Sequence, residues 1–141
     1  MMNKTTKIII VAIIAFIAGG LYFAYHSYDD CSISYDYEWD VIPYYYDTDG
    51  VHYPSQGNKF VNAYITEVNT GKGKVLAFPN CYSLLTEDGN RYEWITGTTD
   101  RGELYGGEVA HIITTFEIPK SVNKVAIVWN LVSVNATLVE L

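Results

Sequence analysis

Basic side chains are scarce in this 141-residue chain, 9 against 16 acidic ones, for a net charge of −7, and methionine does not occur after Met1 and Met2. The first shortage argues against nucleic acid, whose phosphates call for a clustered Lys/Arg surface. The second argues against blue copper, a natural thought for a β-rich chain, because that centre wants His, Cys, His and an axial Met. Histidine is also sparse: His26, His52 and His111 are far apart and belong to no Cys/His cluster, so a zinc site has no support. No Gly-x-Ser-x-Gly elbow, Walker loop or Rossmann glycine pattern occurs, so no catalytic residue, metal or cofactor is expected. Amphipathic helical periodicity is missing as well, which excludes a large helical enzyme. Thirteen tyrosines suit a β-rich domain, since aromatic side chains fit a pleated, half-buried surface.

An uncharged run from Ile8 to Tyr25 follows Lys4 and Lys7 and precedes Asp29 and Asp30. As a helix it would cover about 27 Å, close to the ~30 Å hydrocarbon layer of a bilayer. Lysines on the leading flank place the N-terminus inside and the remainder outside. Residues 1–28 are therefore expected to be a membrane anchor or signal segment and residues 29–141 an extracytoplasmic domain, single-pass at the cell membrane. Secretion after cleavage near Ala18-Gly19-Gly20 is the alternative. Both leading lysines lie ahead of the domain, which makes it more acidic than the whole chain.

From Ser32 to Val41 the alternation is unbroken, Ile33, Tyr35, Tyr37, Trp39 and Val41 against Ser34, Asp36, Glu38 and Asp40. Period two predicts a half-buried strand. A polar, turn-rich insert runs from Asp47-Thr48-Asp49-Gly50 to Pro54-Ser55-Gln56-Gly57-Asn58. Lys59 to Val68 then reads as a central strand covered on both faces, and Val75 to Phe78 as a short one. Cys81 to Thr86 and Arg91 to Ile95 flank Glu87-Asp88-Gly89-Asn90, whose Asp-Gly supplies the positive φ of a hairpin turn. A loop with Gly97, Gly102, Gly106 and Gly107 leads to Val109–Ile118, followed by Lys124–Trp129 and Val132–Leu141. Trp39, Trp94 and Trp129 all fall in predicted strands and are candidates for the core. The expectation is an all-β, antiparallel β-sandwich of seven to eight strands preceded by one N-terminal transmembrane helix.

Gly57-Asn58-Lys59-Phe60-Val61, Asn69-Thr70-Gly71, Leu84 to Tyr92 around Asp88-Gly89, Gly102-Glu103-Leu104 through Gly107-Glu108, and Phe116-Glu117-Ile118-Pro119 occur in this order. Together they resemble the telokin-like, immunoglobulin-like family of unknown function found in bacterial and archaeal lipoproteins, secreted antigens and membrane-anchored proteins. The resemblance spans about Ser32 to Asn130. It implies an extracellular immunoglobulin-like sandwich and carries no catalytic residues. Members often show Pro-Gly where this chain has Gly106-Gly107, and many are lipid-anchored at a Cys, a pattern absent here.

Two cysteines outside the cytosol usually oxidise if they can meet, so Cys31 and Cys81 are expected to pair, with buried thiols or an intermolecular bridge at Cys31 as alternatives. Asn135-Ala136-Thr137 is an acceptor sequon. Asp47-Thr48-Asp49-Gly50 has the look of a calcium loop, but Val51 stands at the third acidic position and no Glu follows at the required spacing, so a solvated turn is expected. Nine of the thirteen tyrosines fall between Tyr22 and Tyr53. Tyr44, Tyr45 and Tyr46 cannot all face inward, because neighbours in an extended chain point to opposite sides. With Asp47 and Asp49 they form the candidate binding segment, tyrosine giving contact area at low entropic cost. The leading functional expectation is a non-catalytic, membrane-anchored module that binds a protein or glycan outside the cell. A structural component of an envelope assembly is the alternative, and an envelope enzyme stands third.

Overall fold

The computed structural model describes residues 32–130 and 138–141. The segment Ile8 to Tyr25, Cys31 and the Asn135 sequon lie outside the described residues. Among the described residues, no helix is long and apolar enough to cross a membrane.

Two four-stranded antiparallel sheets hold most of the strands among the described residues. One has the order β1–β4–β10–β8, from Ile33–Ile42, Asn58–Asn69, Val109–Pro119 and Thr96–Thr99. The other has the order β12–β11–β6–β7, from Val139–Glu140, Lys124–Trp129, Tyr82–Thr86 and Arg91–Glu93. Two small pairs complete the described strands: the hairpin β2–β3 (Tyr45–Asp47 and Gly50–His52) and β5–β9 (Val75–Leu76 and Glu103–Leu104). The described residues form twelve strands where seven to eight were expected, in an all-β, antiparallel arrangement as expected. β2 and β3 arise inside the stretch expected to be turn alone, and β8 and β9 inside the glycine-rich loop.

Period-two patterning explains how the sheets meet. Val61, Ala63 and Ile65 on β4 and Ala110, Ile112, Phe116 and Ile118 on β10 turn inward, where they meet Tyr82 and Leu84 on β6 and Val125, Ile127 and Trp129 on β11. Apolar burial of this kind contributes about 25 cal/mol per Å2, the main force holding the sheets together. On β1 the inward row Ile33, Tyr35, Tyr37 and Trp39 packs against this core and is only half buried. The Tyr35 hydroxyl crosses between the sheets and donates to the Ile127 carbonyl at 3.0 Å.

Gly89, at φ +83°, makes the turn between β6 and β7, which pair Ser83 with Glu93 and Leu85 with Arg91, as the Asp-Gly signal indicates. Two expectations need correction. β4 is central but not covered on both faces, since Tyr64 and Thr66 are exposed on the outward side. Trp94 lies past the end of β7 and is exposed, because its strand stops at Glu93, so only Trp129 is fully buried.

Gly97 allows a close approach between the edge of the first sheet and the turn Pro79–Cys81. A Cβ there would stand 2.3 Å from the Ile113 carbonyl oxygen and 2.7 Å from the Pro79 Cβ. Neither the carbonyl nor the pyrrolidine ring can rotate away. Gly97→Ala is expected to cost about 1–3 kcal/mol, the usual range for overpacking, read as a lower midpoint in urea unfolding.

Candidate functional site

The three consecutive tyrosines divide between two faces of the β2–β3 hairpin. Tyr45 pairs with His52 across it, and the two rings stack at 4.7 Å and 14°. Tyr45 also packs on Phe60 at 5.1 Å. Phe60 belongs to the outward row of β4, opposite Ile42 and Glu117, so the hairpin lies over the end of the outer sheet face, and Phe60 is only 2% exposed. Glu117 pins the chain leaving the hairpin: its Oε1 accepts the Ser55 N–H at 2.5 Å and the Asn58 Nδ2 at 3.3 Å. These bonds, the Ser55 N–H first, hold the Glu117 carboxyl below its usual range.

The opposite hairpin face is open. Tyr46 pairs with Val51, and Tyr44 lies beside Tyr53 at 5.9 Å and beside Tyr46 at 5.4 Å with the planes nearly perpendicular. Tyr46 is 69% and Tyr53 71% exposed, with Tyr44 and Val51 also exposed. Tyr53 was not part of the expected segment. Tyr53 lies one residue past β3, the strand that pairs with Tyr45–Asp47. Three rings and a valine on the open side of the hairpin form an exposed apolar surface.

Asp47 and Asp49 do not join that surface as a pair of free carboxylates. Asp47 Oδ1 accepts the Asp49 N–H at 2.8 Å and bonds His52 Nε2 at 2.8 Å. The His52 contact, then the Asp49 N–H, lower the Asp47 pKa. The carboxylate closes the turn, in which Gly50 takes φ +119°. Among the described residues, no group of three or more His, Cys, Asp or Glu converges as metal ligands. Cys81 is half-buried, burial raises its thiol pKa, and it is in no disulfide among the described residues; its expected partner Cys31 lies outside them.

Elsewhere, His111 faces outward from β10 and bonds Asp100 twice, through its backbone N–H at 2.7 Å and its Nδ1 at 2.8 Å. Those contacts, the backbone N–H first, lower the Asp100 pKa. Asp36, Glu38, Tyr64, Thr66, His111 and Ile113 line a shallow depression of about 420 Å3 on the outer face of this sheet. Inside the sandwich, Glu67 is fully buried. Its Oε2 accepts the Tyr82 hydroxyl at 2.5 Å, while Oε1 has no partner. The signal for Glu67 was its phase, two residues beyond Ile65 on the apolar side of β4.

No family model and no curated protein sequence matches the chain. Among solved structures it is similar to a conserved hypothetical protein from Bacillus anthracis, with a TM-score of 0.52 and 18% identity, over 75% of this chain and 87% of that one. At that identity the likeness is one of fold alone. Weaker likenesses are to an ApaG protein from Pseudomonas aeruginosa (TM-score 0.47, 11% identity, 70% of this chain and 95% of that one) and to an uncharacterized β-sandwich protein from Clostridium difficile (TM-score 0.35, 13% identity, 75% and 80%).

Proposed function

We propose that this chain is a non-catalytic binding module, an extracytoplasmic sandwich of the telokin-like, immunoglobulin-like kind held at the cell membrane by Ile8 to Tyr25, and that it takes a protein or glycan partner on its tyrosine face. The observation that carries the reading is the exposure of Tyr44, Tyr46 and Tyr53 together on one face of a hairpin whose other face is anchored by Tyr45. Rigid aromatic rings bring large contact area with few rotors to immobilise, which is why tyrosine is rich in binding surfaces. The lysines ahead of the apolar run support the orientation, N-terminus inside and sandwich outside.

The test is capture on intact cells with a membrane-impermeant cross-linker. Wild-type chain should yield a cross-linked partner from the membrane fraction. Tyr46→Ser/Tyr53→Ser should weaken capture about 30-fold or more, because an interface aromatic costs about 2 kcal/mol or more when truncated. Its melting temperature should stay within about 2 °C of wild type, since exposed substitutions rarely exceed about 0.5 kcal/mol. Undiminished capture by the double variant would overturn the tyrosine face. A chain shortened near Gly20 in the medium would replace the anchor with secretion, and failure of the reagent to reach the domain would overturn the orientation.

A further inference from the structure

We propose that the free edge of β1 is a strand-acceptor site for an extended basic segment of a partner protein, one with Lys or Arg at alternate positions. The site is separate from the tyrosine face and does not rest on it.

β1 is ten residues long and stands at the end of its sheet, paired along its whole length with β4 on one side. Among the described residues, no strand pairs with its other side. A typical strand has about 5–6 residues, and edges are commonly shortened or broken by proline or a bulge, because a row of unpaired N–H and C=O groups invites another strand. β1 contains neither proline nor glycine, and its register with β4 runs unbroken from Ile33 to Ile42.

The Tyr37 N–H shows which backbone groups face outward. It donates to the Asp36 side chain at 2.9 Å, and it is in phase with Ile33, whose partner Asn69 on β4 turns its N–H away from β1 to the Glu108 carbonyl. Alternate residues of an antiparallel strand turn both backbone groups to the same side, so Tyr35 and Trp39 share that free side with Tyr37. An incoming carbonyl would take the Tyr37 N–H and release the Asp36 carboxylate. On the inward side of the same edge, Tyr35, Tyr37 and Trp39 form a ladder, with centroids 6.1 and 5.6 Å apart, that the core covers only by half. A strand added at the edge would cover the remainder with its own apolar positions.

Charge selects the occupant. Asp36, Glu38 and Asp40 stand exposed in one row on the outward side, and among the described residues none of them is in an ion pair. A second copy pairing antiparallel would set carboxylate against carboxylate, which is repulsive. Two residues of strand span about 7 Å, so cations at every second residue of an added strand match the row in both sign and period. Strand addition of this kind draws affinity from main-chain hydrogen bonds and specificity from alternate side chains.

The experiment uses full-length protein in mild detergent and a fluorescein-labelled peptide of about seven residues that alternates Lys and Val, followed by anisotropy. The alternating peptide should bind, more weakly as salt rises. The same composition in two blocks should bind about tenfold more weakly or worse, as should the alternating peptide on Asp36→Asn/Glu38→Gln/Asp40→Asn. Of two peptides N-methylated on alternate residues, one should keep its affinity and the other lose about tenfold, because only one set of N–H groups faces β1. Equal binding of the block peptide, or of the two methylated isomers, would overturn the proposal in favour of a diffuse anionic surface. No binding up to about 1 mM would overturn it outright. So would self-association of the wild-type chain that competes with the peptide, which would make a second copy the occupant.

Discussion

Raising the pH from about 5 to about 8 is expected to lower the melting temperature of the full-length chain, and Glu67→Gln is expected to abolish that fall. Glu67 sits between the sheets with no exposed surface, and burial raises its carboxyl pKa despite the Tyr82 hydrogen bond, which acts the other way. Burial and the adjacent Glu67 likewise push the Tyr82 phenol upward, so it remains a donor across this range. An acid whose folded pKa lies above its unfolded one stabilises the fold below the unfolded pKa, and that stability is lost as pH rises through the folded value. Where only the unfolded chain ionises, the loss reaches about 1.4 kcal/mol per pH unit, or roughly 5 °C for a domain of this size. Asp47, Asp88, Asp100, Glu108 and Glu117 are shifted the other way, so their contributions fade only as pH falls through their lowered values. The stability curve should therefore have one limb, from these carboxylates, that falls with acid and another, from Glu67, that falls as pH rises above the unfolded glutamate value. Glu67→Gln keeps an acceptor for the Tyr82 hydroxyl and removes only the second limb. Differential scanning calorimetry of both proteins at stepped pH checks this, and parallel curves would show that Glu67 does not hold its proton in the fold.

The long strands were legible because their inward positions are apolar and recur every second residue. β1, β4 and β10 carry that signal, and their register follows from it, whereas β11 was legible as a continuous apolar run, Val125 to Trp129, buried throughout. β8 was not legible, since its sequence Thr-Gly-Thr-Thr offers no apolar side, and it exists because β10 supplies a ladder and Gly97 admits Pro79. β2 and β3 are three residues each, too short for a period to show. At the candidate site the sequence could say that three consecutive tyrosines must divide between faces, but not which way. That depends on Phe60, an apolar residue on the outward row of β4 that needs a cover. Once Tyr45 covers it, Tyr44 and Tyr46 are committed to the open side. Glu67 was hidden for the opposite reason: charge argued for solvent while phase put it in the core, and phase prevailed. Asn69, two residues on, shows the difference that partners make. It is equally buried, yet its Nδ2 donates to Gly73 and Leu104 carbonyls and its Oδ1 accepts the Gly71 N–H.

Tyr45→Ala is expected to abolish capture at the tyrosine face although Tyr45 is not on it, and to destabilise the chain as well. The Tyr45 ring is the link between hairpin and sheet, stacked on His52 on one side and packed on Phe60 on the other. Truncating a fully buried aromatic costs about 3–5 kcal/mol, and a half-buried one correspondingly less, here about 2 kcal/mol. That would lower the melting temperature by roughly 8 °C, in contrast to Tyr46→Ser/Tyr53→Ser, which should barely move it. With Phe60 uncovered, the hairpin retains only its own ladder and the Glu117 bonds beyond it, and a two-stranded hairpin is marginal without packing. Limited proteolysis should cut between Tyr44 and Gly57 in Tyr45→Ala well before wild type. Tyr45→Phe keeps the ring and should restore both stability and capture, which separates loss of the anchor from loss of the hydroxyl. If Tyr45→Ala captures normally with an intact hairpin, the face is held by Glu117 and the turn instead, and Glu117→Gln becomes the substitution that releases it.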